Sequence, residues 1–278
     1  MTQTRTLRRF FSSTSARIGA AIITILLVVS LVALLFPYDA AQDRDLINRL
    51  EPPSLEYPLG TDELGRDILN RIWHGTALSL EVGLIAVALA LLLGASLGLL
   101  AGFFGGWLDL FITWLMDILL AFPSVLLAIA IVAVLGPGIS NTMLAVGIVQ
   151  IPIFARLVRA QVLALRGLEY IQAEEALGVG RGRILLRHIL PATFPILIVQ
   201  STLSIGSAIL DAAALGFLGL GALPPAPEWG LMISRGFGYF TAAPWISLFP
   251  GLAIMVAVVG FNLLGDGLRD ALDVRGRT

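Results

Sequence analysis

Few residue types in this chain are suited to catalysis. The sequence contains no cysteine and two histidines, His74 and His188, which lie far apart along the chain. All 18 basic residues are arginine, so a Schiff-base lysine and the lysine of a P-loop are both missing. Without thiolates there is no cysteine nucleophile and no zinc–thiolate cluster. We therefore predict no catalytic residue, no metal site and no cofactor bound by this chain.

The most informative group of charged residues lies between residues 166 and 190. Its pattern predicts a helix ending at Leu177, a glycine-rich elbow over residues 178–182, and a second short helix, Arg183–Leu190. Pro191 would then open the next helix, a position where proline is tolerated. The elbow follows a helix rather than a strand and lacks the G-x-G-x-x-G spacing, so we do not expect a nucleotide site.

Two interpretations of this segment stay open from its residues alone. In the first, its arginines bind anionic lipid headgroups, each contributing about 1 kcal/mol near the surface. In the second, the segment is a docking helix for a cytoplasmic partner.

The elements that must position this segment are membrane-spanning helices. Hydrophobic residues make up 57% of the chain and charged residues 13%, with a mean hydropathy of +0.90. Ordinary globular domains carry about 25% charged residues, and a span needs about 20 apolar residues. The charge-free runs predict six spans, with Gly136-Pro137-Gly138 as a tight loop between the third and the fourth. The runs are Ile18–Tyr38, Val82–Leu108, Ile118–Ala155 (two spans), His188–Leu210 with a continuation to Leu220, and Gly236–Gly265.

The placement of the arginines predicts the orientation. Thirteen of the 18 arginines fall in segments on the side of the two termini. The positive-inside rule therefore predicts cytoplasmic N- and C-termini. We divide the chain into residues 1–76, which hold the N-terminal tail, the first span and an external segment, and residues 77–278, a five-helix core with the 166–190 loop.

The external segment predicts a local structure of its own. Residues Gly60–Trp73 read as a turn followed by an amphipathic helix, capped by Thr61 or Asp62. The spacing of Asp67 and Arg71 predicts a helical ion pair. This helix would either lie on the bilayer or serve as a docking ledge for an external protein.

Two features inside the spans stand out. Glycines 94, 98 and 102 recur at intervals of four, which predicts close packing of the second span against another helix. Asp211, about 20 residues after Pro191, falls near the outer boundary of the fifth span. It is interpreted either as an interfacial charge or as an acidic lining residue that attracts the amino group of a peptide.

The 166–190 segment resembles a known loop. Gln172-Ala173-Glu174, followed by Gly178 and then by Arg187–Pro191, is similar to the EAA loop of binding-protein-dependent ABC importers. Two positions depart from that pattern, because Gln172 replaces the usual glutamate and Glu174 the second alanine. Glutamine still donates and accepts hydrogen bonds, so a docking role is retained while a salt bridge from this position is lost.

Three other parts of the sequence indicate which family of these importers the chain resembles. They are Leu59–Asp67, Leu215–Gly221 with Pro224–Gly230, and Phe261–Asp270. In order and spacing they resemble signatures of the dipeptide/oligopeptide/nickel permease family. Ile209–Ala214 looks most like the dipeptide branch, specifically its C-type subunit.

The resemblance implies an all-α membrane protein with the six-helix fold of type I ABC importer permeases and cytoplasmic termini. It implies a transport subunit rather than an enzyme, which translocates dipeptides or short oligopeptides across the bacterial plasma (inner) membrane. The implied partners are a homologous second permease, two cytoplasmic ATPases that bind ATP and Mg, and an external peptide-binding protein. The chain would contact the lipid bilayer and no nucleic acid.

The resemblance and the motifs above predict roles for individual residues. The residues expected to couple to the ATPases are Tyr170, Gln172, Ala173, Glu174, Gly178, Arg187 and Pro191. The residues expected at an external docking site are Asp62, Arg66, Asp67, Glu228 and Trp229. Asp211 is expected on the solute path.

Two alternatives stay open. A member of the same family would instead import nickel or glutathione. From a different class, an ion-coupled secondary transporter would need paired broken helices with ionisable residues near the midplane, in an internal repeat. The sequence shows no such repeat.

Overall fold

The computed structural model describes residues 10–36, 38–39 and 44–272. Within these residues the structure is helical, and its β-structure is limited to an isolated bridge between Thr61 and Asp67. The helices are α1 (Thr14–Leu35), α2 (Ile68–Phe104), α3 (Gly106–Leu120), α4 (Ser124–Leu135), α5 (Ile139–Arg166), α6 (Glu169–Ala176), α7 (Arg181–Phe217), α8 (Trp229–Phe237) and α9 (Trp245–Leu272). Helices α1, α2, α5, α7 and α9 are long and apolar enough to cross a membrane, and α3 with α4 makes a sixth candidate. The prediction of an all-helical chain with six spans agrees with this count when the α3–α4 pair is one span.

Helices α2 and α5 run parallel and pack along the three glycines of α2. A Cβ on Gly94 would lie 2.6 Å from the carbonyl oxygen of Ile151, and a Cβ on Gly98 would lie 2.4 Å from that of Ala155. A Cβ on Gly102 would be 2.8 Å from a side-chain carbon of α5. These distances are shorter than a methyl group tolerates, so glycine alone lets the two backbones approach this closely. The predicted small-residue packing is confirmed.

The bundle has two ends with different loops. At the end that we call the coupling end, the start of α1 meets the end of α9, where a Cβ on Gly267 would lie 2.4 Å from the Cβ of Ala16. The end of α2, the end of α5 and residues 167–180 lie at this same end. At the opposite, distal end, Gly60 and Thr61 contact Trp245, and residues 44–71 share a cavity wall with residues 224–235.

The second span is longer than predicted. It starts at Ile68 rather than Val82, and α2 runs unbroken to Phe104. The separate helix expected within residues 60–73 is therefore wrong, because its second half is the first turns of α2. The division between residues 76 and 77 falls inside this continuous helix.

The cap of α2 also differs from the prediction. Asp67, rather than Thr61 or Asp62, is the N-cap residue, and its Oδ1 accepts a hydrogen bond from the Leu69 N–H at 2.9 Å. Arg71 pairs with the buried Asp62 instead of with Asp67. Asp67 and Arg71 have the spacing of a helical ion pair, but the buried carboxylate of Asp62, in the turn before the helix, is the stronger partner of Arg71.

The third span is bent. The axes of α3 and α4 meet at 92° over residues 121–123, so the run predicted from Ile118 begins inside α3 and contains the bend. Pro123 has no N–H to donate and disfavours helical geometry in the residue before it, which ends α3 here. Two ion pairs join α3 to α5 at the coupling end. Asp117 lies 2.5 Å from Arg156, and both carboxylate oxygens of Asp109 accept hydrogen bonds from Arg159.

The fifth span begins before Pro191. The chain is helical from Arg181 to Phe217 without interruption, and Leu185–Ile189 form a π-helical turn within it. Pro191 therefore lies inside a helix rather than at its start, which corrects the prediction. The wider π turn directly before the proline accommodates a residue that has no backbone N–H.

Candidate functional site

The 166–190 segment, which we call the coupling segment, begins at a well-anchored point. Helix α5 continues to Arg166, whose Nη1 donates a hydrogen bond to the Gly102 carbonyl at 3.2 Å and whose guanidinium lies 5.7 Å from the centre of the Phe103 ring. The chain then breaks at Gly167 and Leu168 before α6. The single helix predicted up to Leu177 is therefore two helices.

One face of the coupling segment is embedded in the bundle. Ile171 of α6 and Ile184 and Ile189 of α7 are fully buried and belong to the same apolar core as the packed faces of α2 and α5. Burying a side chain of this size contributes about 1.5–3 kcal/mol. The segment is therefore attached to the spans by packing and not only by the chain.

The elbow between α6 and α7 is formed by Gly178. Its φ is +77°, and the N–H groups of Gly178 and Val179 donate to the carbonyls of Glu175 (3.1 Å) and Glu174 (3.0 Å). These bonds satisfy the last carbonyls of α6, as in the common glycine cap of helices. Leu177, directly before the elbow, is 83% exposed. The elbow thus presents an apolar side chain at the surface of the coupling end.

A polar contact closes the elbow. His188 Nε2 lies 3.2 Å from Glu174 Oε1, and the ring of His188 meets the ring of Tyr170 edge-on with 6.5 Å between centroids. The structure therefore brings together two predicted coupling residues, Tyr170 and Glu174, through a histidine that sequence reasoning did not select. Periodicity could not identify this pair, because the two partners lie on different helices on either side of a left-handed glycine.

The other predicted coupling residues lie on the surface of the segment. Gln172, Ala173, Gly178, Arg187 and Pro191 are exposed. Gln172 donates a weak hydrogen bond of 3.4 Å to the carbonyl of Gly167. Their role in binding an ATPase stays a prediction, for which the exposure of these residues is a necessary condition.

Asp211 is the last residue of a polar stripe along α7, which we call the α7 stripe and define as Gln200, Ser204, Ser207 and Asp211. The spacing of four, three and four residues places them on one helix face over about 16 Å. Gln200 Nε2 donates to Ser204 Oγ at 3.1 Å, and Ser207 Oγ donates to the Ser204 carbonyl at 3.0 Å. Asp211 is half-buried, and no ion pair to it forms within the described part of the chain.

The α7 stripe leads from a cavity at the coupling end. This cavity of about 600 Å³ lies between α5, α7 and α9, and its polar lining residues are Gln161, Gln200 and Arg269. Gln200 belongs to both the cavity and the stripe. Polar side chains therefore continue from the coupling end toward the distal end along one helix.

A second acid, Glu81, is not distinguished by the sequence pattern because it stands directly before a long apolar run. It is exposed on a face of α2 that is otherwise apolar. Gly83 of α2 packs against Ile205 and Ile209 of the antiparallel α7, so Glu81 lies at about the same height in the bundle as Asp211. A charge on an exposed apolar face at this depth is costly in lipid and is expected to face protein or water.

The residues predicted for external docking lie at the distal end, and four of the five are buried. Asp62 is 1% exposed, and its carboxylate accepts from Arg66 Nε at 2.7 Å and from Arg71 Nη1. Trp229 is 1% exposed and donates through Nε1 to the Ile72 carbonyl at 3.3 Å. In this structure these side chains therefore hold the distal end together, and docking by them stays a prediction.

Glu228 caps α8. Its two carboxylate oxygens accept from the N–H groups of Gly230 and Leu231, both at 2.7 Å. Burial raises the pKa of the Glu228 carboxyl above its usual value, and the two backbone hydrogen bonds oppose that shift. Asp67, the fifth predicted docking residue, is partly exposed, and half-burial raises its pKa in the same direction. Among the described residues, no group of three or more His, Asp and Glu side chains is arranged to hold a metal ion.

Known proteins resemble this chain along most of its length. Residues 94–278 match the family described as binding-protein-dependent transport system inner membrane component, and residues 3–53 match the N-terminal TM domain of oligopeptide transport permease C. The dipeptide transport system permease protein DppC of Alkalihalophilus pseudofirmus is 52% identical over 258 residues, covering 93% of this chain and 85% of the relative. The glutathione transport system permease protein GsiD of Pectobacterium atrosepticum is 46% identical over 267 residues, covering 96% and 89%.

A solved structure shows the same fold. A chain of the MetNI methionine ABC transporter in an inward facing conformation superimposes with a TM-score of 0.59 at 18% identity, covering 73% of this chain and 95% of the other. The predicted fold class, that of a type I importer permease, is confirmed.

Proposed function

This chain belongs to the family of binding-protein-dependent transport system inner membrane components, and from that membership we propose that it translocates dipeptides or short oligopeptides across a bacterial inner membrane. It is a permease subunit of an ATP-driven importer and not itself an enzyme, since the ATPase partners hydrolyse ATP. The observation that carries the proposal is the coupling segment, an exposed short helix joined to two spans by fully buried isoleucines, in a chain whose relatives include dipeptide permeases.

The proposed assembly contains a homologous second permease, two ATPases and an external peptide-binding protein. The coupling end would face the cytoplasm, with both termini on that side. The distribution of arginines supports this orientation, because the coupling segment alone carries several of them, and three of these, Arg181, Arg183 and Arg187, are exposed.

The proposed solute path follows the α7 stripe from the distal end to the cavity at the coupling end. Asp211 would attract the ammonium group of a peptide, and the amide of Gln200 and the hydroxyl of Ser207 would exchange hydrogen bonds with its backbone. Ser204 is buried and would hold the Gln200 amide in place. The path would be completed by the second permease.

Helix α7 is the element that would link ATP hydrolysis to this path. It carries the second half of the elbow at its start and the α7 stripe further along, within one continuous helix of 37 residues. A rigid helix transmits a displacement of its first turns to the rest of its length. Movement of the ATPases against α6 and the elbow would therefore shift the lining of the path and open it alternately to the two sides.

The test is uptake by the reconstituted transporter. The permease pair, the ATPases and the peptide-binding protein are placed in liposomes with ATP, and uptake of a labelled dipeptide is followed with unlabelled tripeptide, glutathione or nickel chelate as competitor. We expect ATP-dependent dipeptide uptake that peptides inhibit. Uptake driven by an ion gradient without ATPases would contradict the proposal.

Glutathione is the second candidate solute, because a glutathione permease is a close relative over 96% of this chain. The same assay separates the two. Strong inhibition by glutathione and weak inhibition by dipeptides would favour this alternative.

A further inference from the structure

The distal end contains a cavity lined by arginine. It has a volume of about 180 Å³ and lies between the segment 44–71 and the segment 224–235. Its lining residues are Arg44, Arg66, Arg71, Arg235, Glu63, Leu64, Pro224, Pro225 and Leu231. The two prolines and two leucines make the remaining wall apolar, so the guanidinium groups face a space that is only partly solvated.

Positive charge exceeds negative charge around this space. Of the four guanidinium groups, those of Arg66 and Arg71 contact the buried carboxylate of Asp62, and Arg66 also lies 3.5 Å from Glu63. The other two, Arg44 and Arg235, are exposed at the rim and form no ion pair within the described residues. Four cations therefore surround two carboxylates.

One donor inside the cavity wall has no acceptor. Arg71 is 3% exposed, and its Nε is buried without a hydrogen-bond partner. The charge of Arg71 is balanced by Asp62 through Nη1, so one N–H alone is left without an acceptor. An unpaired buried donor is unfavourable, and an anion within hydrogen-bond distance of Nε would relieve this cost. Arginine is also the side chain best suited to bind a carboxylate, because its planar group donates two parallel hydrogen bonds.

We propose that this cavity binds the carboxylate of an acidic side chain on the external solute-binding protein when that protein docks on the distal end. The inference rests on the proposed function, which includes such a partner. The volume equals about six water molecules, enough for one acidic side chain. Glu63, the single carboxylate on the wall, lies 3.5 Å from Arg66 through Oε1, and its Oε2 has no hydrogen-bond partner. Four guanidinium groups outnumber this one carboxylate on the cavity wall, so the cavity suits an acid that carries no positive charge.

The experiment uses the complete transporter in lipid nanodiscs and the solute-binding protein that supports uptake in the assay above. The dissociation constant (Kd) is measured for wild type, Arg44→Gln, Arg235→Gln and the matched control Arg49→Gln, an exposed arginine of the same segment as Arg44 that does not line the cavity. Each rim variant is expected to raise Kd by about 5- to 30-fold, and the control is expected to leave it unchanged. Basal ATPase activity and the melting temperature verify that the rim variants are folded.

A charge exchange identifies the partner residue. Arg235→Glu should weaken docking further, and one Asp→Arg or Glu→Arg variant of the solute-binding protein should restore it. Equal Kd values for Arg235→Gln and Arg49→Gln would overturn the inference, since general attraction between the surfaces would then suffice. Acetate or inorganic phosphate that stabilises wild type but not Arg235→Gln, with no change in docking, would also overturn it in favour of a free-anion site. A wild-type transporter that neither docks the protein nor imports peptide would instead refute the proposed function.

Discussion

Replacing Gly178 by alanine tests whether the elbow of the coupling segment must keep its shape. The glycine adopts φ +77°, a left-handed conformation that costs an L-residue about 1–2 kcal/mol. A Cβ at this position would meet no atom within 4 Å, so crowding adds nothing and the backbone alone sets the cost. Gly180 is the matched control, because it is equally exposed and equally uncrowded but has φ −58°.

The expected result is a difference between the two variants. If the ATPases bind the elbow in this shape, a cost of about 1–2 kcal/mol for the bound conformation weakens their binding about 5- to 30-fold. Gly180→Ala should bind as wild type does. The assay titrates ATPase subunits onto the permease pair in nanodiscs and records both Kd and the ATPase activity that the loaded binding protein stimulates.

The refuting result is equally clear. Equal Kd and equal stimulation in Gly178→Ala and Gly180→Ala would show that the left-handed elbow has no part in coupling. Gly178→Asn is an intermediate variant, because asparagine adopts the left-handed region more readily than alanine does. Its Kd for the ATPase subunits should fall between those of wild type and Gly178→Ala.

Three further predictions follow from buried or charged side chains. Ile184→Ala should lower the free energy of unfolding of the permease by about 2–5 kcal/mol, measured by thermal or denaturant unfolding. Leu186→Ala is the control and should have little effect, because Leu186 is 66% exposed. Similar losses from both variants would contradict the anchoring role of Ile184. Asp211→Asn should reduce dipeptide uptake while ATPase binding stays normal, and Ser207→Ala should have a smaller effect; full uptake by Asp211→Asn would remove this acid from the path. Since burial raises the pKa of Glu228, its contribution to stability is complete below the usual carboxyl pKa and is lost as the pH rises through the raised value. Wild type should therefore lose stability relative to Glu228→Gln as the pH rises above the usual carboxyl pKa, and parallel pH profiles of unfolding would contradict this.

Local sequence patterns predict some features of the coupling segment and not others. Its glycine elbow, its exposed polar face and its position between two spans follow from local sequence, because each depends on residues a few positions apart. The break at Gly167, the continuous helix through Pro191 and the contact of His188 with Glu174 were not predicted. The contact of His188 with Glu174 joins two helices, and buried isoleucines attach the segment to the spans, so both are properties of the packed bundle.

At the distal end, most of the contacts were not predicted from the sequence. Asp62, Arg66, Glu228 and Trp229 were predicted as external docking residues, and their burial in the interior of this end was not foreseen. Spacing placed Arg71 with Asp67, whereas the structure places it on Asp62. Pairing between charges three or four residues apart contributes little at a surface, so a buried partner from a neighbouring turn determines the geometry.

From its amino-acid sequence this chain can be identified as a helical membrane protein, its spans can be placed to within a few turns, and its motifs can be matched to a family. These properties depend on hydrophobic length, charge placement and short motifs, all of which are local along the chain. Only the folded structure shows that α5 is the helix packed on the three glycines of α2, that a polar stripe on α7 meets a cavity, and that four arginines surround one space. Such features arise between residues far apart in sequence, because close packing of the helices brings them together and a linear pattern carries no information about that contact.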